Sequence, residues 1–552
     1  MTTNCSIEGL PSIACNTTIV SRILGWDGTP AQLSGIPLHA TLVFSSLVQQ
    51  LLLLLPLLLL WYAVYNRYFH PLSHLPGPVF LGSMFPGANI LSVLSDRHPY
   101  VMEELHAKYG PVVRLEPNMV SFADAAAQRT IYTAPAIRKH DEYRAFEWGV
   151  ANLFSTTDPA MAKHRRHMVI PAYGSAKVLA SESIIYECGA KEVTERWNRR
   201  LAAAGGEHGS LLVDMHEEAH CLAGRIMTRL IMGQVDESVV DLIKTMRISL
   251  ALGYFVPDWL QCLLARWLGF TPFVNTFKLR RHLHQFIVAR RQKQELQQEH
   301  NETHTHNQHD DILQAMMDTV DPVTGTPLSV DSLVSELGVQ AFAAIDTSAT
   351  TVMWIFDLLF AHPHALHRLE ADIIAAYPDM SEPILFDGGA LFQQLPYLEA
   401  VIWESMRVRT IGAGVLSRVV HSTCSSGRVV ISGHAIPAGT VVGTPMHVLH
   451  HDRAVWGSDV HEFRPERMLD DETATMVSAE KRRRLTPFSL GVRACVGRQV
   501  GLTTLAINLA NLIRRFEIRP VQCPYKPLTP VYVFLLCASE SKLPAVITAR
   551  SN

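Results

Sequence analysis

The chain has 552 residues, 48% hydrophobic and 18% charged, enough for one large domain or two ordinary ones with a substantial core. Its 48 Lys and Arg nearly balance 51 Asp and Glu, and a net charge of −3 gives no electrostatic footprint for a nucleic-acid partner. Nine cysteines are scattered without a CxxC pair, which argues against a zinc site or a disulfide scaffold; seven lie beyond residue 180, the pattern of a reduced, cytosol-facing domain.

Residues 1–41 carry two N-glycosylation sequons, at Asn4 and Asn16, and two cysteines, Cys5 and Cys15, that can pair if this end is lumenal. Leu42–Tyr65 is then 24 residues without a charge, centred on the leucine run Leu51–Leu60. At 1.5 Å per residue it spans roughly 36 Å as a helix, enough for a bilayer core of about 30 Å. Trp61, Tyr62 and Tyr65 supply an aromatic belt at its end, followed by Arg67. A cleaved signal peptide fits poorly, because the apolar run starts late and no small-residue cleavage site follows. The expectation is a single transmembrane anchor over 42–65. Arg22 and Arg67 do not fix its orientation by charge alone. Residues 66–78, with Pro71, Pro76 and Pro78, read as a semi-rigid tether, and 79–552 as the globular body.

In that body Pro111–Phe122 reads as β structure, and helical patterns dominate from about Ala125 to Thr410. Gln294–Asp311 interrupts them as a hydrophilic segment, with His304, His306 and His309 in what reads as a solvated loop rather than a metal site. Val429–Val442 reads as β structure again, and Gln499–Arg515 as helix. The expected fold class is mainly α with a small β portion, without internal repeats.

Three short patterns carry chemistry. Glu404 and Arg407 stand at i and i+3 in the helical run Leu395–Thr410, so a carboxylate and a guanidinium share one face. Arg467, in Phe463–Arg467, is a second arginine able to join that pair in a buried network; an exposed salt bridge is the bland alternative. Phe488–Gly497 reads as a loop built to present Cys495. Phe488 is an apolar lid, Gly491 permits the turn, and Arg493 and the following helix start are expected to depress the thiol pKa. A lone cysteine before a helix is often only a small buried hydrophobe. A thiolate without a partner cysteine or zinc-spaced histidines, however, suits a metal with one protein ligand, and haem iron is that case.

In the order of these motifs the chain, from about residue 70 to its end, resembles the cytochrome P-450 superfamily of haem-thiolate monooxygenases. The tether His70–Pro78, Tyr109–Asn118 and Phe463–Met468 look most like membrane-bound enzymes of filamentous fungi. The resemblance implies the cytochrome P-450 fold, haem b with Cys495 as axial ligand, and arginines on the haem propionates. Arg493 and Arg418 match two such positions. Arg166 best matches a third, with Arg165 as its rival, because the tryptophan usual four residues before is Ala162. An oxygen-activating helix is implied over Val330–Ala361, with Asp346 and Thr347 as its acid–alcohol pair. Thr347 lies four residues after Ala343, so its hydroxyl can bond that carbonyl and open the helix locally. Ile411–Leu416 sits where relatives line the substrate pocket. Tyr254–Phe273 reads either as a pocket roof dipping into the membrane or as core packing.

The function implied is insertion of one oxygen atom into a lipophilic substrate, a terpenoid, polyketide or alkaloid of fungal secondary metabolism. Electrons would come from NADPH-cytochrome P-450 reductase, with cytochrome b5 as a second candidate donor. The expected setting is the endoplasmic reticulum membrane, single-pass, with the catalytic domain cytosolic. A haem-thiolate isomerase or dehydratase that needs no reductase, and a non-catalytic haem- or lipid-binding membrane protein, are the rivals.

Overall fold

The structure, a computed structural model, describes residues 38–205, 209–253, 256, 258–299, 311–320, 325–421, 427–470 and 476–550. Asn4, Asn16, Cys5, Cys15, His304, His306, His309 and, in the proposed roof, Tyr254, Phe255 and Pro257 lie outside them. The chain divides into two units, residues 1–65 and 66–552.

In the first unit Leu38–Val64 is one helix that continues through Pro56. Every leucine from Leu53 to Leu60 is exposed, Leu53 by 70%, and Trp61 stacks on Tyr65 at 5.8 Å.

The second unit is mainly helical around Val330–Ala361, a 32-residue helix buried through most of its length. It is long and apolar enough to cross a membrane, yet protein covers it. Its Ser329 N-cap accepts from the Ser332 N–H, satisfying one free donor of the first turn. Met215–Met232 packs along it, as do Thr271–Glu299 and Pro396–Val408. Arg498–Arg515 is buried from Val500 onward against the same core.

Among the described residues the β portion comprises four sheets, the largest five-stranded with spatial order Val112–Glu116, Met119–Phe122, Val441–Gly443, Arg418–Val420, Ile137–Lys139. One pairing is parallel, Met119 beside Val441; the others are antiparallel, and the outermost sets Lys139 opposite Arg418. The tether packs on this sheet instead of standing clear. Leu72 and Leu75 are buried with Val120, Ile131 and Val442, and the Pro76 carbonyl accepts from the Arg114 N–H at 2.7 Å.

Candidate active site

The cysteine loop is closed by its own backbone. The Cys495 N–H donates to the Phe488 carbonyl at 2.9 Å, Ala494 to Gly491 at 3.1 Å, and Ser489 to Thr486 at 2.9 Å. Gly491 has φ +71°, and a Cβ there would meet the Tyr132 carbonyl oxygen at 2.2 Å, so no other residue fits. Phe488 packs edge-on against Trp403 of the Pro396–Val408 helix, with ring centroids 6.3 Å apart.

The Cys495 thiol does not have the depressed pKa that the sequence suggested. Burial pushes it up, and the backbone N–H groups of Gly497 and Arg498 and the charge of Arg166 offset this only in part. Cys495 keeps exposed surface, and the atoms packed around it still make burial the largest influence on its titration. The nearby cation is Arg166, whose Nη1 donates to the Ala494 carbonyl at 2.8 Å. Arg493 instead turns to the carbonyls of Leu153 (3.3 Å) and Thr156 (3.0 Å). Arg165 leaves the loop for Glu336, Nη1 to Oε1 3.5 Å.

Arg493 belongs to a cluster of like charges. Burial, then Arg418 and Arg166, lower its pKa to about 10, with Asp158 the opposing charge. Lys139, which no motif marks, lies in the same cluster. It is fully enclosed, its ammonium 4.1 and 4.0 Å from the ring centroids of Tyr143 and Phe154, and burial, Arg418 and Arg493 hold its pKa well below the usual lysine value. Arg418 lies over the Tyr132 ring at 4.8 Å. Like charges directly opposite on a sheet are destabilising, yet the register sets Lys139 against Arg418. A buried surplus of cations answered mainly by carbonyls and ring faces fits a ligand with two carboxylates. With one thiol beside it, the donor set fits haem.

On the central helix the Thr347 hydroxyl donates to the Ala343 carbonyl at 2.6 Å, as its spacing predicted, but the helix stays regular there. Thr347 and Ala343 line a cavity of about 280 Å³ with Phe146, Phe534, Gly412 and Gly414. Gly414 is required where it stands, because a Cβ would lie 2.2 Å from the Tyr532 hydroxyl. Cys495 is not among the lining residues. A larger polar depression of about 640 Å³, beside Trp456, Arg464, Arg467 and Arg484, is lined by neither Cys495 nor Thr347, and its arginines pair with Asp459, Glu404 and Glu480.

Asp346 is not among the cavity's lining residues either. Its Oδ1 accepts from Arg247 Nε at 2.9 Å, and His220 Nε2 stands 3.9 Å away. These partners hold its pKa below the usual carboxylate value against the opposing effect of burial. The burial of this carboxylate is balanced by Arg247.

Glu404, Arg407 and Arg467 come together as expected. Arg407 grips both Glu404 oxygens at 2.8 Å with neither side chain exposed, and Arg467 Nε reaches Oε1 at 3.3 Å. Asp459, unmarked in the sequence, adds a fourth member at 2.8 Å from Arg467 Nη1. A further unmarked residue, His450, joins the network to the loop. Its carbonyl accepts from Arg407 at 3.1 Å, its Nδ1–H donates to the Thr410 hydroxyl at 2.8 Å, and its Nε2 accepts the Thr486 N–H at 3.0 Å.

A fold of this kind around a loop-borne cysteine and a cation cradle defines a haem-thiolate protein. The family model Cytochrome P450 matches residues 80–543, and the chain belongs to that family, whose haem iron takes a cysteine thiolate. Cytochrome P450 monooxygenase helB3 of Aspergillus fumigatus is 25% identical over 481 residues, 86% of this chain and 90% of that protein. Cytochrome P450 monooxygenase LUC2 of a Fusarium species is 26% identical over 514 residues, 92% and 94% of the two chains. Sesterfisheric acid synthase of Neosartorya fischeri is 26% identical over 514 residues, 83% and 88%. The crystal structure of a cytochrome P450 (CYP102L1) matches with a TM-score of 0.66 over 86% of this chain and 98% of that one, at 20% identity, a likeness of fold.

Proposed function

We propose that this chain is a membrane-anchored monooxygenase of fungal secondary metabolism. It draws two electrons from NADPH-cytochrome P-450 reductase and inserts one atom of dioxygen into a lipophilic substrate. The observation that carries the reading is the aromatic and glycine-lined cavity beneath Thr347 in a chain that also presents Cys495. Bound haem supplies an iron that activates dioxygen, with the Cys495 sulfur donating electron density to favour O–O cleavage.

The chain's own residues do the rest. Arg166, Arg418, Arg493 and Lys139 would hold the propionates of haem when it is bound. The Thr347 hydroxyl, anchored on the Ala343 carbonyl, presents its oxygen at the cavity wall as a relay for protons. Asp346 feeds that relay when it leaves Arg247. Phe146, Phe534 and the small residues Gly412 and Gly414 exclude water and leave room for a bulky apolar scaffold.

The name of Sesterfisheric acid synthase and the fungal sources of the relatives support the metabolic setting. Exposed Trp267, Leu268, Val79 and Phe80 on the second unit support contact with lipid, and the exposed leucines of Leu38–Val64 support the anchor. In the proposed roof Phe273 instead joins the core. The test is NADPH oxidation by membranes holding the chain and the reductase, with a panel of terpenoid, polyketide and alkaloid intermediates. Oxygenated product formed only with both NADPH and reductase is expected. Turnover without reductase would favour the isomerase or dehydratase.

A further inference from the structure

Glu336 lies on the central helix, is 1% exposed, and belongs to no motif of the chain. Its Oε1 accepts the Leu153 N–H at 2.9 Å. Leu153 opens a strap whose carbonyls point the other way, into the cation cradle. The Leu153, Thr156 and Asp158 carbonyls accept from Arg493 at 3.3, 3.0 and 3.4 Å, and the Phe154 carbonyl accepts from Lys139. Asn152 ties the start of the strap down, donating to Ser335 Oγ at 3.1 Å and accepting the N–H groups of Phe154 and Ser155. One residue, Leu153, therefore touches the carboxyl through its N–H and the cradle arginine through its carbonyl.

The groups facing Glu336 are few. Arg165 comes from the Pro159–Val169 helix, with Nη1 at 3.5 Å. Gln340 stands one turn along its own helix and accepts from the Tyr173 hydroxyl at 2.9 Å. Tyr173 feels the charges of both Cys495 and Glu336, which places the carboxyl within electrostatic reach of the cysteine loop. Arg493, Lys139, Arg418 and Asp158 lie beyond the strap. Glu336 Oε2 is buried and receives no hydrogen bond of good geometry. Burial raises the carboxyl pKa to about 7, against the lowering effects of Arg165, the Leu153 N–H and Gln340.

We propose that Glu336 is a positioning residue for the haem, setting the strap that seats Arg493 and Lys139 and exchanging a proton with solvent as the charge of the cofactor changes. When one electron enters from a one-electron donor, one proton moves from bulk water onto the Glu336 carboxylate, and both leave on reoxidation. Oε2, which receives no hydrogen bond of good geometry from the described residues, is the atom that takes the proton. An opposing charge change close by stabilises each redox state, so the ease of reduction follows pH through the neutral range. The proposal rests on the haem reading and adds a residue to it.

The experiment is a spectroelectrochemical titration of the detergent-solubilised full chain at a series of pH values spanning neutrality. The wild-type midpoint potential should fall as pH rises, with an inflection near neutrality. Glu336→Gln keeps an acceptor for the Leu153 N–H and should flatten that dependence. Arg165→Gln removes a cation that opposes protonation and should move the inflection to higher pH. Redox-difference infrared spectra should show a protonated carboxyl on reduction that Glu336→Gln lacks. A purely structural glutamate would alter haem retention in the variant but leave the pH dependence unchanged. An unchanged dependence in Glu336→Gln overturns the proposal; if that variant does not fold, an unmoved inflection in Arg165→Gln does so. A reduced carbon monoxide complex without a thiolate-type Soret band in the wild type would instead sink the haem reading itself.

Discussion

At the scale of single residues Cys495 and Thr347 make separable predictions. With its thiol pushed up by burial, Cys495 is protonated until a metal ion removes the proton. The reduced carbon monoxide complex should show a red-shifted, thiolate-type Soret band, and Cys495→Ala should abolish it. Thr347→Ala loses one hydrogen bond to the Ala343 carbonyl, about 1 kcal/mol or less, so folding and haem binding should survive. What it removes is the polar atom at the cavity wall. NADPH oxidation should continue while product falls, with hydrogen peroxide accounting for the missing electrons. NADPH, peroxide and product measured together check this, and wild-type coupling would reduce Thr347 to a packing residue.

The residues legible in the sequence share one property, a fixed local spacing. Thr347 and Ala343 are one turn apart, as are Glu404 and Arg407, and the cysteine loop closes on itself within eight residues. What was not legible depends on distant partners. Arg247 reaches Asp346 across 99 positions and pairs its carboxylate, a contact that no local spacing announces. Lys139 becomes part of the cradle only because the sheet sets it against Arg418. Arg493 was placed beside Cys495 by sequence proximity, but the chain turns it to the 153–158 strap, and Arg166 takes the place next to the loop.

At the scale of elements the Pro396–Val408 helix, Pro465–Met468 and the cysteine loop act as one body, because Arg407 spans them through Glu404 and His450. Glu404→Gln leaves the buried Arg407 guanidinium without its carboxylate and Arg467 with Asp459 alone, a loss expected to cost about 3–5 kcal/mol. Urea unfolding should show this as a lower midpoint, accompanied by poorer haem retention. His450 adds a pH dependence. Its Nε2 must stay unprotonated to accept the Thr486 N–H, and burial lowers its pKa to about 3. The unfolded chain takes up a proton at about pH 6.5 whereas the folded chain does not, so stability is lost as pH falls below that value. His98 and His216, each lowered to about 4, act in the same direction. Unfolding free energy should therefore decline between about pH 7 and pH 5, and His450→Gln, which keeps an acceptor for Thr486, should make the decline shallower.

At the scale of the whole molecule the distribution of apolar surface sets the remaining prediction. The central helix and Leu38–Val64 are both long and apolar, and although the first carries Asp331, Glu336, Asp346 and Asp357, length and apolar content alone do not say which of them protein covers. The structure does: the first is enclosed by its neighbours, whereas Leu53–Leu60 and Trp61 stand exposed. Exposed apolar surface on this scale marks an interaction face, and the proposed anchor assigns it to lipid. With the proposed topology residues 1–41 lie in the lumen and 66–552 in the cytosol. Trp267, 76% exposed, and Leu268, 72% exposed, give the second unit an additional apolar contact of its own. A chain lacking residues 1–65 should therefore resist protease-free release into the soluble fraction less than the full chain, yet still bind vesicles measurably. Adding Trp267→Glu and Leu268→Glu should remove that residual binding in a flotation assay, because each charge opposes transfer into the interface. On intact microsomes added protease should digest the 66–552 unit, and endoglycosidase should shift the full chain in a way that Asn4→Gln with Asn16→Gln abolishes. Protection of the 66–552 unit from protease would place it in the lumen, away from the cytosolic reductase, and the electron supply proposed for this chain would then be wrong.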